Sequence, residues 1–269
     1  MSSIRGPLHY EVTGAVDAPP MVFVHPNPMD SSCWLFQLAH FSTWFRCLAV
    51  DLPGYGRSPS ASTKLTMDEV AAAVWDAVDA GTSGGRAVLV GCSVGSNVVQ
   101  RMYHLRPEAT EAVVLVAGNY RPVKDFVPRR IADYREHGLA FRYGHTLHGL
   151  SDGFGRTPLA DWFATMFVER NATADLDTIV TMFEALGEPD PDWLHADLHA
   201  PVLILSGRLD RGHDAAHALL DRLPDARLVT VEDAGHACHV EKPWEVDREI
   251  IGFLRGLGHD HLPAPAGRR

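Results

Sequence analysis

The stretch Gly91-Cys92-Ser93-Val94-Gly95 constrains this chain more than any other. It follows a short apolar run, Ala87 to Val90, and precedes a helix-like segment, Ser96 to Leu105. A serine on a sharp strand-to-helix turn is thrust clear of its sheet. Only small residues two places either side let the following helix pack that close. Gly91 and Gly95 meet that demand. The backbone N–H of Val94, freed at the helix start, then points at the same spot as the serine oxygen, where it can hold a developing oxyanion. The motif alone occurs in plain turns, and it is the strand before it and the helix after it that point to chemistry.

The flanking segments alternate in type. Leu8 to Thr13 alternates apolar and polar residues like an edge strand, and Met21 to His25 is a continuous apolar run like a strand buried on both faces. Arg46 to Val50 reads as the next strand, Thr66 caps a helix over Met67–Ala80, and Ala112 to Ala117 is a further apolar strand. From Asn119 to Ala196 the rhythm becomes helical and rich in aromatics, with no apolar strand. Pro201 to Ser206 and Arg227 to Val231 restore the strands, and Glu241 to Leu257 carries an amphipathic stripe. Strand-helix alternation predicts an α/β class with a mostly parallel, doubly wound sheet. The expected organisation is a core of 1–118 and 197–258, a helical cap over 119–196, and a flexible tail over 259–269.

The chain has 269 residues, enough for one domain with an insertion, and no apolar run approaches the length of a membrane span. The start Met-Ser-Ser-Ile-Arg-Gly-Pro lacks the pattern of a secretory signal, which predicts a cytoplasmic protein. A formal net charge of −10 without a basic patch argues against nucleic acid, so the expected partner is a small-molecule substrate, with no membrane. Nothing in the sequence decides between monomer and homodimer. Cys33, Cys47, Cys92 and Cys238 are scattered and read as free thiols. His213/His217 and His195/His199 are paired at helical spacing but lack a third ligand, so no metal is expected.

A serine hydroxyl needs a base within hydrogen-bond reach and a carboxylate to orient that base. Asp210 lies just past the strand ending at Ser206, and His236 just past the strand ending at Val231. The order Ser, Asp, His, each beyond the carboxyl end of a different strand, is where open α/β sheets place their sites. Asp214 and His239 are the nearest rivals. Asp214 falls inside an expected helix, and Gly235 before His236 supplies a bend that aims a loop side chain inward.

On these residues the chain resembles the α/β-hydrolase fold family. His25-Pro26-Asn27-Pro28 is similar to its oxyanion loop, Asp51 to Ser58 to its Asp-x-x-Gly-x-Gly-x-Ser loop, and Gly235-His236 to Pro243 to its histidine segment. The resemblance implies that the cap follows the sixth core strand, with Ser93 as nucleophile, His236 as general base and then acid, and Asp210 as the acidic member. It implies that the Asn27 and Val94 amides form the oxyanion hole. Pro26 replaces the family's usual glycine, removing one N–H, and a cis Asn27-Pro28 bond is expected. The implied activity is hydrolysis of a carboxylic ester or lactone of a mostly apolar small molecule, through an acyl-enzyme and without a cofactor. The same triad serves carbon–carbon or amide hydrolysis, and the same fold serves non-catalytic ligand receptors. Tyr120, Trp162 and Met166 are the expected pocket residues; most other cap aromatics are expected to form the cap's own core.

Overall fold

The computed structural model describes residues 3–264. Seven strands carry the fold: β1 (Tyr10–Thr13), β2 (Pro20–Val24), β3 (Arg46–Val50), β4 (Ala87–Cys92), β5 (Thr110–Val116), β6 (Val202–Gly207) and β7 (Ala226–Val231). They form one sheet in the order β1-β3-β2-β4-β5-β6-β7, with β1 antiparallel and every other pair parallel. Strands buried on both faces need apolar residues at every position, and β2 and β4 are buried throughout. Alternate residues feed opposite layers. Val22 and Val24 join one core cluster, Met21 and Phe23 the other.

Helices cover both faces. The first three are α1 (Leu35–Phe41), α2 (Met67–Gly81) and α3 (Val94–Leu105). Thr66 caps α2, as the sequence predicts, and Glu69 completes the cap reciprocally. Between β5 and β6 lie α4 (Phe126–His137), α5 (Phe141–His148), α6 (Asp152–Gly155), α7 (Pro158–Arg170), α8 (Leu176–Gly187) and α9 (Trp193–Ala196). Here α5 packs on α7, and α4 on α8. After β6 come α10 (His213–Leu220), α11 (Cys238–Glu241) and α12 (Pro243–Gly256). The buried faces of α2, α3 and α10 pack on one side of the sheet, and those of α1 and α12 on the other.

Two expectations need correction. The helical insertion follows the fifth strand in chain order, not a sixth, because a single strand, β1, forms the antiparallel edge before β2. Residues 259–264 are not a free tail. Leu262 is 2 % exposed within the second core cluster, His259 Nε2 lies 2.9 Å from Glu111 Oε1, and Arg255 donates to the Asp260 carbonyl at 3.0 Å. One buried apolar side chain together with these polar contacts docks the segment. The expected tail residues 265–269 lie outside the described residues.

From β2 the chain passes to β3 on one side and then to β4 on the other. The carboxyl ends of β2 and β4 therefore flank a topological switch point, where loops part and a crevice opens. No helix among the described residues is long and apolar enough to cross a membrane.

Candidate active site

Ser93 sits at that crevice, between β4 and α3, with φ 54° and ψ −113°. A non-glycine residue adopts this conformation only when its surroundings over-determine it. They do so here. The Ser93 N–H donates to the Val116 carbonyl at 3.0 Å, and the Ser96 hydroxyl donates to the Gly91 and Val116 carbonyls at 2.9 and 3.1 Å. A Cβ on Gly91 would stand 2.2 Å from the Gly95 carbonyl oxygen, and one on Gly95 would stand 2.1 Å from that of Val24. Both glycines are thus steric necessities of the turn, as the motif predicts.

His236 comes from the loop after β7, and its Nδ1 lies 2.9 Å from Asp210 Oδ2. The Gly212 N–H donates to Asp210 Oδ1 at 2.9 Å, which fixes the carboxylate. Burial works against a charged His236, but the Asp210 charge and hydrogen bond outweigh it and raise its pKa. Burial likewise opposes ionised Asp210, and the His236 charge and hydrogen bond overcome that, so its pKa is lowered. With Nδ1 engaged, Nε2 is the nitrogen left for other work. Ser93 and His236 line one cavity of about 580 Å³, and the Ser93 hydroxyl has no hydrogen-bond partner among the described residues.

The loop carrying His236 is braced from the helical insertion. The Gly149 carbonyl accepts from the His236 N–H at 2.8 Å. Glu241 accepts from the Gly235 N–H at 2.9 Å and from the Ser151 hydroxyl at 2.5 Å. Sequence reading had put Glu241 at the start of the long amphipathic helix; it sits instead on the separate turn α11, buried beneath this loop. His239 is fully buried, its ring 4.1 Å from that of Trp34, and burial lowers its pKa to about 3. It lines neither cavity beside Ser93, and of the two imidazoles it is His236 that meets Asp210.

After β2, the Asn27-Pro28 bond is cis, as expected. His25 Nε2 accepts from the Leu52 N–H at 2.9 Å, which leaves the proton on Nδ1, 3.0 Å from the Pro26 carbonyl. Tyr55 donates to Asn27 Oδ1. Asp51 accepts from the Ser31 and Arg57 N–H groups at 2.8 and 2.9 Å, so its glycine-rich loop is a structural support for the oxyanion-like loop. The backbone N–H groups of Asn27 and Val94 have no acceptor among the described residues. Asn27 lines the large cavity; Val94 lines a smaller one of about 50 Å³ that shares Ser93.

None of Tyr120, Trp162 and Met166 lines the large cavity. Trp162 is 51 % exposed on the outer side of α7, whose inner residues Ala160, Phe163, Ala164 and Phe167 are buried in the second core cluster with Met166 against them. Tyr120 is held between the His195 ring and the Arg222 guanidinium. Of the cap aromatics, Phe126 and Phe183 reach the cavity, and the expected apolar lining is joined by the cations Arg121, Arg130 and Arg211 and by His145 and His148, whose pKa values burial lowers. Sequence reading missed these groups. The signal was present: Arg121, Lys124, Arg129, Arg130, Arg135 and Arg142 crowd the start of the insertion in a chain of net charge −10.

Sheet order, strained serine and Asp–His pair define a hydrolase of the doubly wound α/β type. Residues 21–246 match the model of the alpha/beta hydrolase family, and the chain belongs to that family. It is 31% identical over 210 residues to the polyketide synthase ThaQ of Burkholderia thailandensis, covering 75% of this chain but only 10% of that much longer protein. It is 27% identical over 252 residues to the pimeloyl-[acyl-carrier protein] methyl ester esterase of Nitrosomonas europaea, covering 88% of this chain and 95% of that one. Among solved structures, the enol-lactonase from Burkholderia xenovorans LB400 superimposes with a TM-score of 0.82 at 23% identity, covering 94% of this chain and 98% of that one.

Proposed function

We propose that this chain is a serine hydrolase of carboxylic esters or lactones, acting through an acyl-enzyme on Ser93. The observation that carries the reading is the 2.9 Å contact of His236 with Asp210, at a cavity shared with a serine held at positive φ. The Ser93 oxygen attacks the carbonyl carbon as its proton passes to His236 Nε2, and Asp210 stabilises the imidazolium. The Asn27 and Val94 N–H groups receive the charge that builds on the carbonyl oxygen. His236 then protonates the leaving alkoxide. A water, deprotonated by the same imidazole, releases the acid and regenerates the Ser93 hydroxyl. The serine–histidine hydrogen bond forms when substrate arrives, since catalytic hydrogen bonds in unliganded sites are often not yet made.

The esterase and lactonase names among relatives support this reading of the bond cleaved. Its test is a panel of p-nitrophenyl esters, lactones and anilides, run with a fluorophosphonate probe. Ser93→Ala is expected to abolish labelling and to lower turnover on the order of 10⁴- to 10⁶-fold while leaving the melting temperature near wild type. A folded Ser93→Ala protein with full activity on every substrate found would overturn the proposal.

A further inference from the structure

Eleven buried side-chain polar atoms among the described residues lack a hydrogen-bond partner, and five of them belong to three residues beside the cavity. They are Asn27 Nδ2, Thr146 Oγ1, and Nε, Nη1 and Nη2 of Arg142. All five can donate a hydrogen bond, and four of them can only donate. Arg142 and Thr146 are one turn apart on α5 and share its buried face. The Arg142 guanidinium lies 4.8 Å from the Tyr55 ring, whose hydroxyl donates to Asn27 Oδ1. Asn27 and Thr146 line the cavity; Arg142 is fully buried and does not line it, but is linked to both through α5 and the Tyr55 ring.

A buried guanidinium without a counter-charge is strongly unfavourable, and the Tyr55 ring with the neutral Tyr55 and Tyr134 hydroxyls beside it offsets only part of that. The carboxylates on the loops after β2 and β3 are committed elsewhere. Asp30 accepts from Ser32, Arg170 and Asn171, and Asp51 from the Ser31 and Arg57 amides. Arg130, also in the cavity lining, pairs with Asp133 at 3.5 Å and lies over the Phe141 ring. A cluster of buried donors short of acceptors and of negative charge, beside a cavity lined by Arg121, Arg130 and Arg211, calls for an anion that arrives with the substrate.

We infer that the cavity wall formed by Asn27 and Thr146, with Arg142 buried beyond it, is an anion subsite, and that the ester or lactone cleaved at Ser93 carries a free carboxylate that docks there. This rests on the hydrolase reading of Ser93. The carboxylate accepts from Asn27 Nδ2 and Thr146 Oγ1 and supplies the charge that Arg142 lacks, with Arg130 adding long-range attraction. The substrates are half-esters of dicarboxylic acids, or lactones bearing an acid group. A purely apolar acyl chain would leave the donors unmet.

The test compares the monomethyl with the dimethyl esters of succinic, glutaric and adipic acids, read by pH-stat so that no chromophore biases the fit. The expected result is a preference of about 10- to 100-fold in kcat/KM for the half-ester of the best chain length, the range that charge-assisted hydrogen bonds supply. Arg142→Met is expected to bring that ratio toward one. Thr146→Val, an isosteric loss of one donor, is expected to lower it and keeps the test open if Arg142→Met fails to fold. Equal kcat/KM for half-ester and diester, or a preference that survives both substitutions, would overturn the subsite and leave the hydrolase reading standing. Absence of Ser93-dependent turnover of any ester would overturn both.

Discussion

Replacing Gly95 by alanine isolates the contact on which the site geometry depends. The added Cβ would lie 2.1 Å from the Val24 carbonyl oxygen, 2.8 Å from its carbon and 3.0 Å from the His25 carbonyl oxygen. All three are backbone atoms at the end of β2, so no side chain can swing away. An ordinary contact is longer by more than an ångström, and α3 must retreat from β2 by about that much. The retreat moves Ser93 and the Val94 N–H relative to the Asn27 N–H on the opposite strand end. A misplacement of ~1 Å typically lowers turnover on the order of 10²-fold. Overpacking costs up to about 3 kcal/mol, or a fall in Tm of roughly 6–12 °C for a chain of this size. Ester turnover and a thermal melt read both effects. Gly252→Ala in α12 is the control, since its Cβ meets nothing within 4 Å. It should gain about 0.5–1 kcal/mol from helix propensity and leave activity alone. Gly95→Ala with wild-type turnover and an unchanged melt would refute the claim that close packing of β2 on α3 builds the site.

Other outcomes follow from the charges around His236. Its pKa is raised because Asp210 overcomes burial, and the base must be neutral to accept a proton, so the acid limb of kcat/KM tracks that raised value. Asp210→Asn leaves burial dominant, which should move the limb to lower pH while lowering the plateau on the order of 10⁴-fold; a limb that stays in place would contradict the pairing. The same pair contributes to stability with opposite signs. The His236 part is fully present below its unfolded pKa and is lost as pH rises through the raised folded value. The Asp210 part is present above its unfolded pKa and is lost as pH falls through the lowered folded value. His239→Leu, which removes two unpartnered nitrogens from a buried site, should fold within about 1 kcal/mol of wild type and keep full activity. A large activity loss there, seen in the ester assay, would reopen the choice between the two histidines.

The parts of the site that were legible in the sequence are those fixed by local geometry. Gly91 and Gly95 bracket Ser93 because their Cβ atoms would strike backbone within a few residues or one strand away, and such steric rules show as a spacing. Asp210 and His236 were legible because each follows a strand that its apolar run announces. Asp214 is excluded as the partner by standing in the first turn of α10, which the helical pattern also foretold. The pocket was a different matter. Trp162 and Met166 are one turn apart on α7, a spacing equally consistent with lining a cavity or packing on a core, and α7 docks on the core.

By itself the sequence determined the strand and helix alternation, the strained turn at Ser93, and the chain order of hydroxyl, carboxylate and imidazole. Each depends on residues within a few positions of one another, where periodicity and steric exclusion act. Only the tertiary structure decided what the cavity presents to a substrate. Whether Arg142 finds a counter-charge, or Tyr120 faces solvent, cavity or core, depends on how helices far apart in the chain dock on one another. Burial and electrostatic pairing are properties of that docking in space, and no local pattern encodes them.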